Sequence, residues 1–299
     1  MILIQCDNLS KQYPNKLALD NVSLILQPGA PIALVGPNGA GKTTLFSLLC
    51  GYIQPTHGSI RILGHAPGSK ALQGVLSALP QDAALDPNFT IASQLQFFAQ
   101  LQGFNKTDAK QEVLRVLELV ELSDSAQAKP KSLSHGMSKR VSIAQALIGA
   151  PEIVLLDEPT AGLDPANAKK IRQIVKNLAG ETTFIISSHN LDELEKLCDH
   201  VIYLEKGQLQ QSVSIKASQA TDFITLTMQT CDMDKLHQQL LSLINVIEVK
   251  RSSDEQYVIE YHKQSGFELE SQLLAVFNEQ QWQYKAILKG RTLEETLFS

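Results

Sequence analysis

The sequence predicts an α/β protein built on a largely parallel central sheet, followed by a smaller α+β domain. Three observations carry that prediction. Between residues 31 and 205, short apolar strand-like runs alternate with helically spaced segments, the pattern of successive βαβ units. A glycine-rich loop joins the first of these buried strands to a helix. Past Gln211 the texture changes to short alternating strands and two amphipathic helices, which sets the domains at 1–211 and 212–299.

Each element has a local reason. Residues 2–26 read as two or three short strands turning at Pro14-Asn15, an antiparallel β subdomain. Residues 31–35 form a buried strand and 42–51 a helix, and 58–63 alternate as a strand. Leu95, Phe98, Ala99 and Leu101, then Val113, Leu114, Leu117 and Val120, recur near every 3.6 residues and predict a helical subdomain, with a helix start at Thr107. Helices are expected over 138–148, 166–178 and 191–197, and strands over 153–156, 183–187 and 201–205, the last closing the first domain. Beyond it, strands at 223–230, 246–251, 256–262 and 283–288 and helices at 234–244 and 267–281 give the order βαββαβ of a ferredoxin-like sandwich, with a short closing helix at 292–298. On those helices Leu236, Leu240, Leu241 and Ile244 recur at helical spacing, and Leu269, Leu273, Val276 and Phe277 are expected to face inward.

Composition narrows the function classes. At 43% apolar and 19% charged the 299 residues can bury a core. There are 18 basic and 19 acidic residues through Gln211, and 8 and 12 beyond it. Neither part offers the clustered Lys and Arg that a nucleic-acid surface needs, so no nucleic-acid partner is expected. Cys6, Cys50, Cys198 and Cys231 fall in no paired spacing, which fits a reducing cytosol. No apolar run reaches membrane-spanning length, so work at a membrane would need a separate protein to cross it.

The chemistry begins at Gly36-Pro37-Asn38-Gly39-Ala40-Gly41-Lys42-Thr43-Thr44, which matches G-x-x-x-x-G-K-[ST] between a strand and a helix. Glycines let backbone N–H groups crowd around a β-phosphate, and the helix beginning near Lys42 adds unpaired donors and its positive dipole end. Lys42 is expected to reach the β- and γ-phosphates of ATP, and the Thr43 hydroxyl to ligate Mg²⁺. At the end of the apolar strand Ile153-Val154-Leu155-Leu156, Asp157 suits a water-mediated Mg²⁺ ligand and Glu158 a residue that polarises the attacking water.

Leu133-Ser134-His135-Gly136-Met137 precedes that acidic pair by some twenty residues. Here the sequence resembles the ABC ATPase family, whose signature is usually Leu-Ser-Gly-Gly-Gln. The resemblance covers residues 2–210 and implies an ATP-hydrolysing transporter subunit. In that family the signature of one subunit caps the γ-phosphate held by another, so Ser134 and Gly136 would bind ATP across a dimer interface. The resemblance also matches Tyr13 to the aromatic that stacks on adenine and Gln81 to the glutamine that senses Mg²⁺ and links the site to the membrane partner. Residues 161–164 match the loop that touches its twin, and His189 the switch histidine at the γ-phosphate. His135 and Met137 depart from the usual signature. A bulky residue followed by Met occurs in bacterial export branches, and activity is expected.

The resemblance implies two partners: a second ATPase subunit, identical or paralogous, and an integral membrane permease docking near residues 81–100. Of Phe89, Leu95, Phe97 and Phe98 in that stretch, one or two are expected to face outward, the rest filling the subdomain's core. The protein would then lie in the cytoplasm, peripheral on the inner face of the cytoplasmic membrane. The tail Leu293-Glu294-Glu295-Thr296-Leu297-Phe298 resembles that of exporter ATPases of the drug-resistance and lipid-export branch. Two rivals stay open: a soluble ABC ATPase acting on nucleic acid or ribosomes, and a regulatory module that binds nucleotide without hydrolysing it.

Overall fold

The computed structural model describes residues 1–188, 191–195, 197–214, 221–263 and 268–290. Two compact units divide the chain, residues 1–213 and 214–299.

In the first unit, alternation of buried and exposed residues along β1 (Ile4–Tyr13) and β2 (Lys16–Leu26) makes a two-residue hairpin, and β4 (His57–Ile62) completes an antiparallel sheet in the order β2-β1-β4. The second sheet has six strands in the order β5-β6-β7-β3-β8-β9. These are β3 (Ile32–Val35), β5 (Leu76–Leu79), β6 (Ile153–Asp157), β7 (Thr183–Ser187), β8 (His200–Glu205) and β9 (Gln208–Ser214). The pairs β5/β6, β6/β7, β7/β3 and β3/β8 are parallel. Every residue of β3, β6 and β7 is buried, as expected of strands covered on both faces. Leu34, Leu155, Ile185 and Ile202 meet Leu45, Leu48 and the inner face of the antiparallel sheet in one core.

The helices are α1 (Lys42–Leu49), α2 (Ile91–Leu101), α3 (Lys106–Leu119), α4 (His135–Ala146), α5 (Pro165–Leu178) and α6 (Leu191–Glu195). Four start on a side-chain cap, from Thr90, Asn105, Ser134 and Asp164. The structure corrects several expectations here. The α3 cap is Asn105, whose side chain takes both the Thr107 and Asp108 N–H groups, and not Thr107. Helix α4 starts three residues earlier than expected because Ser134 is its cap. Leu101 and Leu114 have helical spacing but lie 61% and 63% exposed. Strand β5 was too short and featureless to predict, and β9, not the strand ending at Glu205, is the last of this sheet.

The second unit runs β10 (Thr221–Thr230), α7 (Met233–Leu241), β11 (Val246–Arg251), β12 (Gln256–His262), α8 (Leu269–Gln280) and β13 (Gln283–Lys289). Its sheet is antiparallel throughout, in the order β11-β12-β10-β13. Ile224, Leu226 and Met228 from one face of β10 pack with Leu236 and Leu240 of α7 and Leu269, Leu273 and Phe277 of α8. Leu241 and Ile244, at helical spacing with Leu236 and Leu240, are exposed: Leu241 is the last residue of α7 and Ile244 lies beyond the helix. The expected closing helix at 292–298, with its Leu293 to Phe298 motif, lies outside the described residues.

Candidate functional site

Parallel strands all deliver their carboxyl ends to one edge of the sheet, where α/β proteins bind ligands. Adjacent in this sheet, β6, β7 and β3 end at Asp157, Ser187 and Val35, so the acidic pair, the serine and the glycine loop converge without any long-range search. They open onto a cleft of about 540 Å³ bordered by residues 38–44 and by Lys16, Ala18, Gln81, Asp157 and Glu158.

The loop's shape is dictated by its own packing. At Gly36 a Cβ would lie 2.1 Å from the Leu204 carbonyl oxygen, and at Gly41, with φ of 109°, it would lie 2.7 Å from the Ala18 oxygen and from Leu19. Gly41 is the N-cap of α1 and offers no side chain, so the first N–H groups of this helix, unlike those of α2 to α5, receive no side-chain cap and point at the cleft mouth. Lys42 is buried, and its Nζ donates to the carbonyls of Gly36 (2.6 Å) and Pro37 (3.3 Å). A buried ammonium satisfied by neutral carbonyls, beside uncapped N–H groups, is a site whose charge calls for an anion. A polyphosphate fits it.

Opposite stands the acidic pair. Thr43 Oγ1 donates to Asp157 Oδ2 at 3.1 Å, and Ser187 Oγ donates to Asp157 Oδ1. The chain then turns sharply: Glu158 has a left-handed φ of 49°, held by its N–H donating to the Ser187 carbonyl (3.1 Å) and hydroxyl (3.0 Å). That turn sets the two carboxylates side by side, both buried, at the cleft wall. Hydroxyl and carboxylate oxygens of Thr43, Asp157 and Glu158 come together at this corner, the chemistry a hard divalent cation such as Mg²⁺ prefers when phosphates complete its shell.

Of the other expected site residues, Gln81 lines the cleft, and Tyr13, Ser134 and Gly136 do not. Tyr13 is 39% exposed, pairs across the hairpin with Lys16, and has the Lys11 ammonium 5.4 Å from its ring centroid. Ser134 accepts from the Met137 N–H at 3.2 Å. Gly136 is buried against Asn167: a Cβ there would lie 2.4 Å from the Asn167 side chain. The His135 imidazole reaches toward the backbone of Gly162, its Nε2 3.6 Å from where a Cβ on that glycine would stand. His189 lies outside the described residues.

Three contributors escaped the sequence reading. Lys16, whose Nζ is 3.5 Å from the Gly39 carbonyl, sits over the loop because the hairpin turn folds it there. Ser187 organises the acidic pair, and its only signal was a polar residue ending an apolar strand. Lys139 donates to the Gln81 carbonyl oxygen at 2.7 Å. Burial lowers the Lys139 pKa, with Asp82, Asp157 and Glu158 opposing that shift.

The fold and cleft define a phosphate-loop nucleotide-binding protein of the α/β type. Comparison with known proteins sharpens this. A family model described as ABC transporter matches residues 19–161. The Nod factor export ATP-binding protein I of Cupriavidus metallidurans is 35% identical over 210 residues, spanning 69% of each chain. The linearmycin resistance ATP-binding protein LnrL of Bacillus subtilis is 36% identical over 212 residues, 69% of this chain and 68% of that one. Among solved structures, a dimeric ATP-binding cassette in a post-hydrolysis state with ADP and Pi superposes with a TM-score of 0.65 at 26% identity, covering 72% of this chain and all of the other. A bacterial Atm1-family exporter with ATP bound gives 0.63 at 27% identity, covering 71% of this chain and 38% of the other. This chain belongs to the ABC transporter family, as an ATP-binding, ATP-hydrolysing subunit. Among the described residues, no helix is long and apolar enough to cross a membrane.

Proposed function

We propose that this chain energises export through a separate membrane permease, working as one half of a head-to-tail pair of ATPase subunits. In each ATP site Lys42 and the backbone of residues 36–44 bind the phosphates, and Tyr13 stacks on adenine beside Lys16. Thr43 and Asp157 would hold Mg²⁺ with Gln81 at the rim, and the ion would supply charge neutralisation to the phosphate oxygens. Glu158 orients and polarises the attacking water, and His189 contacts the γ-phosphate. The facing subunit contributes Ser134 and Gly136, whose helix N-terminus adds donors to the same phosphate.

The observation that carries this reading is the 3.1 Å bond between Thr43 and Asp157, which joins phosphate loop and acidic pair in one corner with Glu158 adjoining. The absence of Ser134 and Gly136 from their own chain's cleft lining accords with a contribution in trans. Phe89 and Phe97, each 56% exposed, give the permease an apolar landing within residues 81–100, next to Leu101 one turn on. Docking there places the subunit on the inner face of the cytoplasmic membrane. Export is favoured by the two relatives named for export and resistance.

Glu158→Gln should bind ATP, lose about 100-fold or more in turnover, and elute as a dimer in ATP. Wild-type hydrolysis by this variant would remove Glu158 from the chemistry.

A further inference from the structure

Two parts of the proposed machine lie far apart in sequence and serve different nucleotides. Gln81 lines this chain's own cleft, whereas Ser134 opens the helix assigned to the facing subunit's ATP. One side chain joins them. Lys139 stands five residues after Ser134 on the unbroken helix α4, about 7.5 Å along its axis at the usual rise, and its Nζ donates to the Gln81 carbonyl at 2.7 Å.

The setting makes this bond a bridge and not one contact among many. Residues 81–85 form one wall of an open cleft of about 810 Å³, and Pro130, His135, Ser138, Lys139 and Ser142 border it elsewhere. The lysine spans from α4 to the Gln81 loop along this cleft. Burial lowers the pKa of the same ammonium, and the charges of Asp82, Asp157 and Glu158 act against that shift, so the group is within electrostatic reach of the acidic corner. A cation holding a carbonyl ties the Gln81 loop to α4, and the bond is the route by which a shift in one can be passed to the other.

We propose that Lys139 is a positioning residue that couples the chain's own ATP site to the site it completes on its partner. Through the Gln81 loop it registers the occupancy of the near cleft, and through α4 it sets where Ser134 and Gly136 stand over the far one. The inference rests on the head-to-tail reading above. It makes the two sites energetically linked, with hydrolysis rising cooperatively in ATP.

The test compares full-length wild type, Lys139→Met and Lys139→Arg in steady-state hydrolysis across ATP concentrations. Methionine keeps much of the apolar stem and removes only the charged head. The wild type should show a Hill coefficient approaching about 2, and Lys139→Met one near 1 with turnover down about tenfold. ATP binding by a fluorescent analogue should change less than about twofold, and Lys139→Arg should restore the cooperativity. Unchanged cooperativity in Lys139→Met overturns the proposal. So does an equal loss in both variants with a matching fall in Tm, which would mark a structural lysine. Gel filtration of Glu158→Gln with ATP keeps the two levels apart. A trapped dimer upholds the head-to-tail reading whatever Lys139 does, and a monomer ends both.

Discussion

At the scale of the residue, Gly136 shows how a position can answer to two demands. By the family resemblance, its backbone N–H serves a nucleotide held by another subunit. In the fold, the missing Cβ is filled by Asn167, whose amide donates to Asp164 at 2.6 Å while Asp164 caps α5 through the Ala166 and Asn167 N–H groups. An added methyl must push the Asn167 side chain out and break its bond to Asp164 Oδ2, a loss of about 1 kcal/mol on the scale of one hydrogen bond. Gly136→Ala is therefore expected to lower Tm by a few degrees, roughly 2–4 °C for a domain of this size. Asn167→Ala in the same chain should give most of that back by clearing the space. Turnover is expected to recover with it, because the Cβ points at Asn167 and leaves free the backbone N–H that Gly136 offers to the partner's nucleotide in the proposed pair. Calorimetry of the single and double variants decides the first point: a Gly136→Ala chain melting with the wild type would mean that Asn167 yields freely.

At the scale of the element, helices α3 and α4 are joined by a charged clasp. Arg115 Nε and Nη2 donate to the two Glu112 oxygens at 2.8 and 2.5 Å, Nη2 also donates to the Leu147 carbonyl at 2.8 Å, and Glu112 accepts from the Gly149 N–H at 2.7 Å. Burial pushes the Glu112 carboxyl up, but the Arg115 and Gly149 hydrogen bonds outweigh it and hold the group below its ordinary 4.5. A carboxylate whose pKa is depressed by folding contributes stability above its unfolded value, and that contribution fades as pH falls through the folded one. Glu112→Gln should cost about 1–2 kcal/mol at neutral pH, with the gap to wild type closing as the medium is acidified below the ordinary carboxylate range. Denaturant titrations of both chains across pH test this, and a gap that stays constant would exclude the ion pair as its source. Much at this scale was legible in advance. Buried strands and amphipathic helices announce themselves by period, and the phosphate loop and acidic pair by residue type at the ends of those strands. Strands β5 and β9 were not legible: Leu76–Leu79 has no alternation, and what fixes it is its parallel partner β6. Lys16 and Lys139 were hidden for a related reason. A single lysine carries no pattern, and its value comes from a hairpin turn or a neighbouring loop that only the fold brings near.

At the scale of the molecule, the chain carries two cores that draw on separate stretches of sequence. The first gathers residues from Leu3 to Leu209, the second from Ile224 to Ile287. Every described residue bordering the nucleotide cleft lies between Lys16 and Glu158, in the first unit, and the second contributes none. A unit with its own buried core and its own site satisfies what independent folding requires. We therefore read 212–299 as an accessory domain, and expect a chain ending after Ser214, which keeps β9 whole, to bind ATP and hydrolyse it within about threefold of the full-length rate. Cutting at Glu205 instead would remove β9, the edge strand of the six-stranded sheet, and should leave a less stable protein. The comparison is made by measuring turnover and Tm for the three chains side by side. A chain ending after Ser214 that folds and melts like the full-length first unit yet cannot hydrolyse ATP would assign the second unit a direct part in turnover, and the division of labour drawn from the two cores would then be wrong.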